Sequence, residues 1–158
     1  MLKPILLVED NPHDLELTLI ALERTNLANE VVIARDGQEA LDYLAGEGAW
    51  ADREPGNPAV ILLDMKLPKV DGLEVLAEVR RRGESAAIPV VMLTSSKEEH
   101  DLLRSYALGS NAYVVKPVDF QDFISAVSDL GIFWAVLNEP PPGSLRVSRP
   151  APRDRELP

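Results

Sequence analysis

The sequence predicts a doubly wound α/β domain built on a parallel β-sheet. Five apolar runs have the length of buried strands and cover residues 5–8, 31–34, 60–63, 90–93 and 113–115. The stretches between the runs carry apolar residues three and four positions apart, as at Leu15, Leu19 and Leu22, which is the period of an amphipathic helix. Strands that alternate with helices in this way form a parallel sheet with helices on both faces.

Each of the first three strands is followed by a predicted helix. After the first run, Asn11 and Pro12 are typical of a helix N-cap and of the first helical position. A helix-like stretch at residues 38–44 follows the second run. The third run precedes a helix that we expect to end near Gly83, where a C-terminal glycine belongs.

The fourth and fifth strands are separated by a further helix. Residues 96–99 read Ser-Lys-Glu-Glu, which has the form of a capping box and predicts a helix that begins after Ser96. Gly109 stands where this helix should end. A fifth helix is expected after the fifth run, so that five strands alternate with five helices.

The fifth helix is more apolar than its place in the fold requires. Its apolar residues follow a 4-3-4-3 spacing, which is a short heptad seam: Phe123, Val127, Leu130, Trp134 and Leu137. Beyond Gly131 this apolar surface exceeds what one helix can bury against a sheet, and a surface of that kind is typical of an interface. The alternative is that Gly131 breaks the helix and the apolar residues fold back onto their own domain.

Two segments depart from this alternating pattern. The connection over residues 46–58 is longer than most in compact domains, so Trp50 is a candidate partner contact, although a solvated loop fits equally well. The last 19 residues are rich in proline and carry 4 basic and 2 acidic groups. Such a composition favours a flexible segment. The predicted organisation is a domain over 1–130, an apolar helical extension over 131–139 and a Pro/Arg-rich tail over 140–158.

The composition excludes several classes of protein. The chain has 158 residues, the usual size of one domain, and a net charge of −10. A nucleic-acid partner is not expected, because phosphate neutralisation needs a basic surface. The absence of cysteine excludes disulfides and thiolate metal sites. No apolar run is long enough to cross a membrane and no signal peptide is visible, so we expect a cytoplasmic protein.

Polar side chains gather where the predicted strands end. Glu9 and Asp10 follow the first strand, Asp64 the third, Thr94 the fourth and Lys116 the fifth. In parallel sheets, ligands bind outside these carboxyl ends. A single aspartate at a strand end is usually a turn or cap residue. Three carboxylates at one edge need a cation, and oxygen ligands with open positions suit Mg²⁺.

The motifs at these positions resemble the CheY-like receiver domain of bacterial response regulators. The similarity covers roughly residues 3–130 and rests on four segments in order: Leu7-Val8-Glu9-Asp10-Asn11, Leu63-Asp64-Met65-Lys66-Leu67-Pro68 with Asp71-Gly72, Leu93-Thr94-Ser95, and Lys116-Pro117. The resemblance implies a flavodoxin-like (βα)5 fold with a five-stranded parallel sheet in the order 2-1-3-4-5.

The resemblance also implies a role for each site residue. Asp64 would accept a phosphoryl group from a phosphohistidine of a sensor kinase, Lys116 would pair with the phosphoryl oxygens, and Thr94 and Tyr113 would form the switch. The implied Mg²⁺ ligands are Asp10, Asp64, the backbone carbonyl of Lys66 and, through water, Glu9.

The C-terminal extension narrows the resemblance. Residues 131–142 are similar to the extension of response regulators that partner phytochrome-type histidine kinases, and the 46–58 connection also fits that subfamily. Such regulators commonly dimerise there, so we expect a homodimer with an interface at Phe133, Trp134 and Leu137. The expected function is that of a single-domain response regulator. The alternatives are a scaffold that is not phosphorylated and a Mg²⁺-dependent phosphohydrolase, which would need an acid where Lys66 stands.

Overall fold

A parallel β-sheet with helices on both faces forms the centre of the molecule. The computed structural model describes residues 3–24, 29–95, 99–116, 121–122 and 146–148. The strands are β1 (Ile5–Val8), β2 (Glu30–Ala34), β3 (Val60–Asp64), β4 (Val90–Thr94), β5 (Ala112–Val115) and β6 (Arg146–Ser148). The helices are α1 (Pro12–Arg24), α2 (Gly37–Ala45), α3 (Gly72–Arg81) and α4 (Glu99–Ala107), with a short 3-10 turn at Gly48–Trp50.

The order of the first five strands is the predicted 2-1-3-4-5, and all neighbouring strands are parallel. In the centre of the sheet, Leu6 of β1 is paired with Val32 of β2 and with Ile61 of β3. Each of these five strands begins and ends within one residue of the apolar run that predicts it. The doubly wound fold class is therefore confirmed.

The core has two layers, one on each face of the sheet. On one face Leu7 packs with Leu22 of α1, and on the other Leu6 packs with Leu41 of α2 and Leu76 of α3. Successive strand residues point to opposite faces, and both faces are covered, so β1 is buried along its whole length. This packing fixes the register of the strands and therefore the position at which each strand ends along the sheet.

A sixth strand extends the sheet beyond the predicted five. Residues 146–148 pair in parallel with β2, and Val147 lies opposite Val31. These residues belong to the 140–158 tail, whose flexibility stays a prediction. The open edge of β2 supplies backbone donors and acceptors that composition alone does not reveal.

The long 46–58 connection is folded against α2. The ring of Trp50 meets that of Tyr43 edge-on at a centroid distance of 5.1 Å. The Arg53 guanidinium lies 4.1 Å from the centre of the Tyr43 ring and donates hydrogen bonds to the Tyr43, Leu44 and Gly56 carbonyls. The connection is thus built around Arg53, and Trp50 is half-buried.

Several predicted features lie outside the described residues. They include the first residues of the capping box at 96–98, most of the fifth helix and the interface residues Phe133, Trp134 and Leu137. Among the helices that the structure describes, none is both long and apolar enough to cross a membrane.

Two glycines allow the chain to approach the β3–α3 connection closely. A Cβ on Gly37 would lie 1.9 Å from the carbonyl oxygen of Val70, and one on Gly72 would lie 2.1 Å from that of Asp64. Side chains do not fit at such distances, so both residues must be glycine for the backbone to pass here. The position of Asp64 therefore depends on Gly72.

We expect Gly72→Ala to lower the free energy of unfolding by about 1–3 kcal/mol, because the added methyl group displaces backbone and not a flexible side chain. Gly83→Ala is the matched control, since nothing lies within 4 Å of a Cβ there. Urea unfolding of the two variants and the wild type measures the difference. Equal stability of the two variants would contradict the steric role of Gly72.

Candidate functional site

The five residues predicted from the strand ends lie along the carboxyl edge of the sheet. Glu9 and Asp10 follow β1, Asp64 and Thr94 end β3 and β4, and Lys116 follows β5. The backbone N–H of Lys116 donates to the Thr94 carbonyl over 2.7 Å, which fixes the end of β5 beside the end of β4. The parallel sheet thus brings residues from distant parts of the chain to one edge.

Three carboxylates form a compact acidic cluster at this edge. Ligand oxygens of Glu9, Asp10 and Asp64 all lie within 4.8 Å of one another. Glu9 and Asp64 are buried, whereas Asp10 is exposed. Such a set of carboxylate oxygens, open to solvent on one side, fits a hard divalent cation that retains some of its water. The residues present therefore suit Mg²⁺ or Mn²⁺.

Glu9 is held by hydrogen bonds at both carboxylate oxygens. Its Oε1 accepts from the backbone N–H of Asn11 over 3.1 Å, and its Oε2 accepts from the Lys116 ammonium. The side chain of Asn11 in turn accepts from the N–H groups of His13 and Asp14, which confirms it as the N-cap of α1. The start of α1 thereby orients the Glu9 carboxylate.

The Lys116 ammonium lies among three carboxylates. It contacts Glu9 Oε2, Asp64 Oδ2 at 3.1 Å and Asp14 Oδ2 at 3.2 Å. Its side chain is only 6% exposed, so these contacts are largely shielded from solvent. A buried ammonium beside Asp64 places positive charge where an anionic group bound to Asp64 would need it.

Burial and the crowding of these charges both act on the pKa of Glu9. Burial, with a smaller contribution from the charge of Asp64, raises this pKa from 4.5 to about 7 in spite of the opposing hydrogen bonds from Lys116 and Asn11. Burial by itself would lower the pKa of Lys116, but its hydrogen bond to Glu9 and the charge of Asp64 outweigh burial and raise it. The site holds more negative charge than its one ammonium balances.

This arrangement is matched by a known family. The sequence model of the response regulator receiver domain matches residues 5–128. The chain belongs to this family.

Solved structures of related receiver proteins point to one group of regulators. The bacteriophytochrome response regulator RtBRR is 69% identical, with a TM-score of 0.83, over 91% of this chain and 87% of that one. The phosphorylated cyanobacterial phytochrome response regulator RcpA is 42% identical, with a TM-score of 0.71, over 85% of this chain and 94% of its own.

Response regulator Rcp1 of Synechocystis sp. (strain ATCC 27184 / PCC 6803 / Kazusa) is 40% identical over 132 residues, which are 84% of this chain and 88% of Rcp1. Its structure in a Mn²⁺-bound form aligns with a TM-score of 0.70 at 39% identity, over 84% of this chain and 94% of that one. The chain is therefore related to stand-alone phytochrome response regulators over nearly their full length.

The remaining predicted site residues differ in how far they are exposed. Thr94 is fully buried, and Tyr113 is half-buried against the core. Lys66 points its side chain to solvent, and its N–H lies 3.4 Å from Asp64 Oδ1. The Lys66 carbonyl as a cation ligand, and the switch role of Thr94 and Tyr113, stay predictions.

Asp14 is a further carboxylate beside Lys116 that the strand-end pattern did not indicate. It lies in the first turn of α1, where an acidic residue is commonly explained by the helix dipole. Its contact with Lys116 joins residues 102 positions apart in sequence. The available signal was its place one helical turn after Asp10, at the same edge of the sheet.

We expect Glu9→Gln to stabilise the receiver domain at high pH when no divalent cation is present. The native protein keeps the Glu9 proton up to a pH of about 7, whereas the unfolded chain releases it near 4.5. The wild type therefore loses stability relative to the variant as the pH rises between these values, by on the order of 2 kcal/mol.

Urea unfolding in a chelating buffer measures this difference. Below a pH of 4.5 the Glu9 side chain is largely protonated in both the native and the unfolded chain, so the two proteins should have similar stability there. Glu47→Gln, which removes a charge from an exposed position, is the control. A stability difference that stays constant from low to high pH would show that the buried charge of Glu9 is not its cause.

Proposed function

We propose that the protein is a single-domain response regulator whose Asp64 accepts a phosphoryl group from a phosphohistidine of a sensor kinase. The observation that carries this proposal is the position of the Asp64 carboxylate, 3.1 Å from the buried Lys116 ammonium and within the acidic cluster. Membership of the receiver family and the similarity to the phosphorylated RcpA support it.

The proposed reaction uses few groups. An Asp64 carboxylate oxygen bonds to phosphorus while the P–N bond of the phosphohistidine breaks, and the imidazole nitrogen keeps the electron pair of that bond. Lys116 stabilises the charge on the phosphoryl oxygens. The chemistry of the protein is thereby limited to its own phosphorylation and dephosphorylation, as befits a signalling protein.

A magnesium ion is part of the proposal, and its ligands are those expected from the sequence: Glu9 through water, Asp10, Asp64 and the backbone carbonyl of Lys66. When bound, the ion supplies positive charge that opposes the charge of the phosphoryl group. The compact set of carboxylate oxygens and the Mn²⁺-bound form of Rcp1 support this assignment.

Phosphorylation is proposed to act through Thr94 and Tyr113. Thr94 ends β4 at the same edge of the sheet as Asp64, and its backbone carbonyl accepts from the N–H of Lys116. Tyr113 is paired with Met92 in the same two strands and lies half-buried against the core. A shift of these two residues would alter the surface that partners contact.

The kinase is proposed to be of the phytochrome type, and the protein to work in the cytoplasm. Identity of 69% to a bacteriophytochrome response regulator supports this choice of kinase, as does the 40% identity to Rcp1. The alternatives are less favoured. A phosphohydrolase lacks its acid, since Lys66 stands at that position, and a scaffold would not need both Asp64 and Lys116.

The intact mass of the protein after incubation with acetyl phosphate tests the proposal. We expect a phosphoryl adduct that requires Mg²⁺ and is absent from Asp64→Asn. Asp52→Asn makes the same change at an exposed position and should keep the adduct. A folded wild type that stays unmodified with Mg²⁺ present would favour the scaffold instead.

A homodimer is also proposed, formed through the apolar extension at 131–139. Light scattering over a range of concentrations should show dissociation on dilution, and Trp134→Ala should weaken the dimer by about thirtyfold or more, as expected of a buried aromatic anchor. Ile20→Ala, an exposed apolar residue on α1, is the control. A monomer at all concentrations, or equal effects of the two variants, would refute this interface.

A further inference from the structure

We propose that Asp14 is a positioning residue that keeps the Lys116 ammonium in place while the other carboxylates around that ammonium change their partners. The inference rests on the proposed function, since it concerns how the same site is phosphorylated. It is carried by the contacts of Lys116 and by the place of Asp14 outside the acidic cluster.

The three carboxylates approach Lys116 from three different elements. Glu9 follows β1, Asp64 ends β3, and Asp14 lies in the first turn of α1. An ammonium group has three N–H donors, and these three carboxylates occupy them all. Asp14 thus supplies one of the three acceptors of this buried ammonium.

Asp14 differs from the other two in what the proposed reaction does to it. Glu9 and Asp64 belong to the acidic cluster, whereas Asp14 is not among the grouped carboxylates of the described residues. A bound cation would therefore interact with Glu9 and Asp64. Phosphorylation would then convert the Asp64 carboxylate into an acyl phosphate. The charge of Asp14 is unchanged in both steps, so Lys116 keeps one constant partner.

The backbone of Asp14 is itself held in position. Its N–H donates to Asn11 Oδ1 over 3.1 Å, and its carbonyl accepts from the Thr18 hydroxyl over 2.9 Å. Thr18 is buried, which anchors this turn of α1 to the core. An acidic residue at this point would also stabilise the helix through its dipole, so the test must separate the two roles.

The initial rate of phosphorylation by acetyl phosphate at saturating Mg²⁺ provides that test. We expect Asp14→Asn to lower the rate about three- to tenfold, the range for a partly exposed charged contact, while the Mg²⁺ affinity changes little. Asp14→Glu, which keeps the charge, should restore part of the rate. Glu23→Gln removes an exposed acidic residue from the same helix and should leave the rate unchanged.

Two further measurements show whether Asp14 acts through Lys116. In a Lys116→Gln background, Asp14→Asn should produce no additional loss of rate. The ¹⁵N signal of the Lys116 ammonium, which persists while the group is held by hydrogen bonds, should broaden in Asp14→Asn and remain in Asp14→Glu. This second readout does not depend on phosphorylation.

The outcomes separate this inference from the proposed function. If the wild type forms the adduct and Asp14→Asn reacts at an unchanged or higher rate, the inference is overturned and the proposed function is not. A higher rate would mean that the negative charge of Asp14 only repels the anionic phosphoryl donor. If Asp14→Asn lowers the rate by the same factor in the Lys116→Gln background as in the wild type, the inference is also overturned. If the wild type forms no adduct, the proposed function fails, and an unaltered ¹⁵N signal in Asp14→Asn would overturn the positioning role as well.

Discussion

One ammonium group balances the carboxylates on which this site is built. Lys116 contacts three of them, and the exposed Asp10 lies beside two of those three. Like charges in a shielded place raise one another's pKa, and a single cation offsets only part of that effect. Together with burial, which is the larger cause, that remainder raises the pKa of Glu9 to about 7. This surplus of negative charge gives the acidic cluster its capacity for a divalent cation.

The sheet makes that crowding of charges possible, because it holds segments that are far apart in sequence side by side at one edge. Glu9 and Lys116 are separated by 107 positions, and their contact depends on the ends of β1 and β5 lying at one edge. Strands buried on both faces cannot slide without exposing apolar side chains, so the register of the strands is fixed. The packing of the sheet brings the charged side chains together, because ion pairs alone would not hold such distant parts of the chain in one place.

The parts of the molecule that were predictable are those with a local cause. The five core strands are apolar runs, and Asn11 caps α1 through its own side chain. The strands and the cap are therefore both determined by residues that are close together in sequence. The contact of Asp14 with Lys116 was not predictable from sequence. An acidic residue in the first turn gives the same sequence pattern whether it stabilises the helix dipole or pairs with a distant lysine. The sixth strand was missed for a related reason, since it pairs with an edge that only the folded sheet presents.

The direction of a stability change separates the site carboxylates from the structural ones. Asp36 and Asp71 accept backbone N–H bonds at the N-caps of α2 and α3, so neutralising either removes a stabilising contact. Glu9 is different, because its ionised form is disfavoured by burial in the native state and is compensated only in part. The gain in stability expected on neutralising Glu9, together with its place in the acidic cluster, supports a role for this carboxylate in cation binding rather than in maintaining the fold.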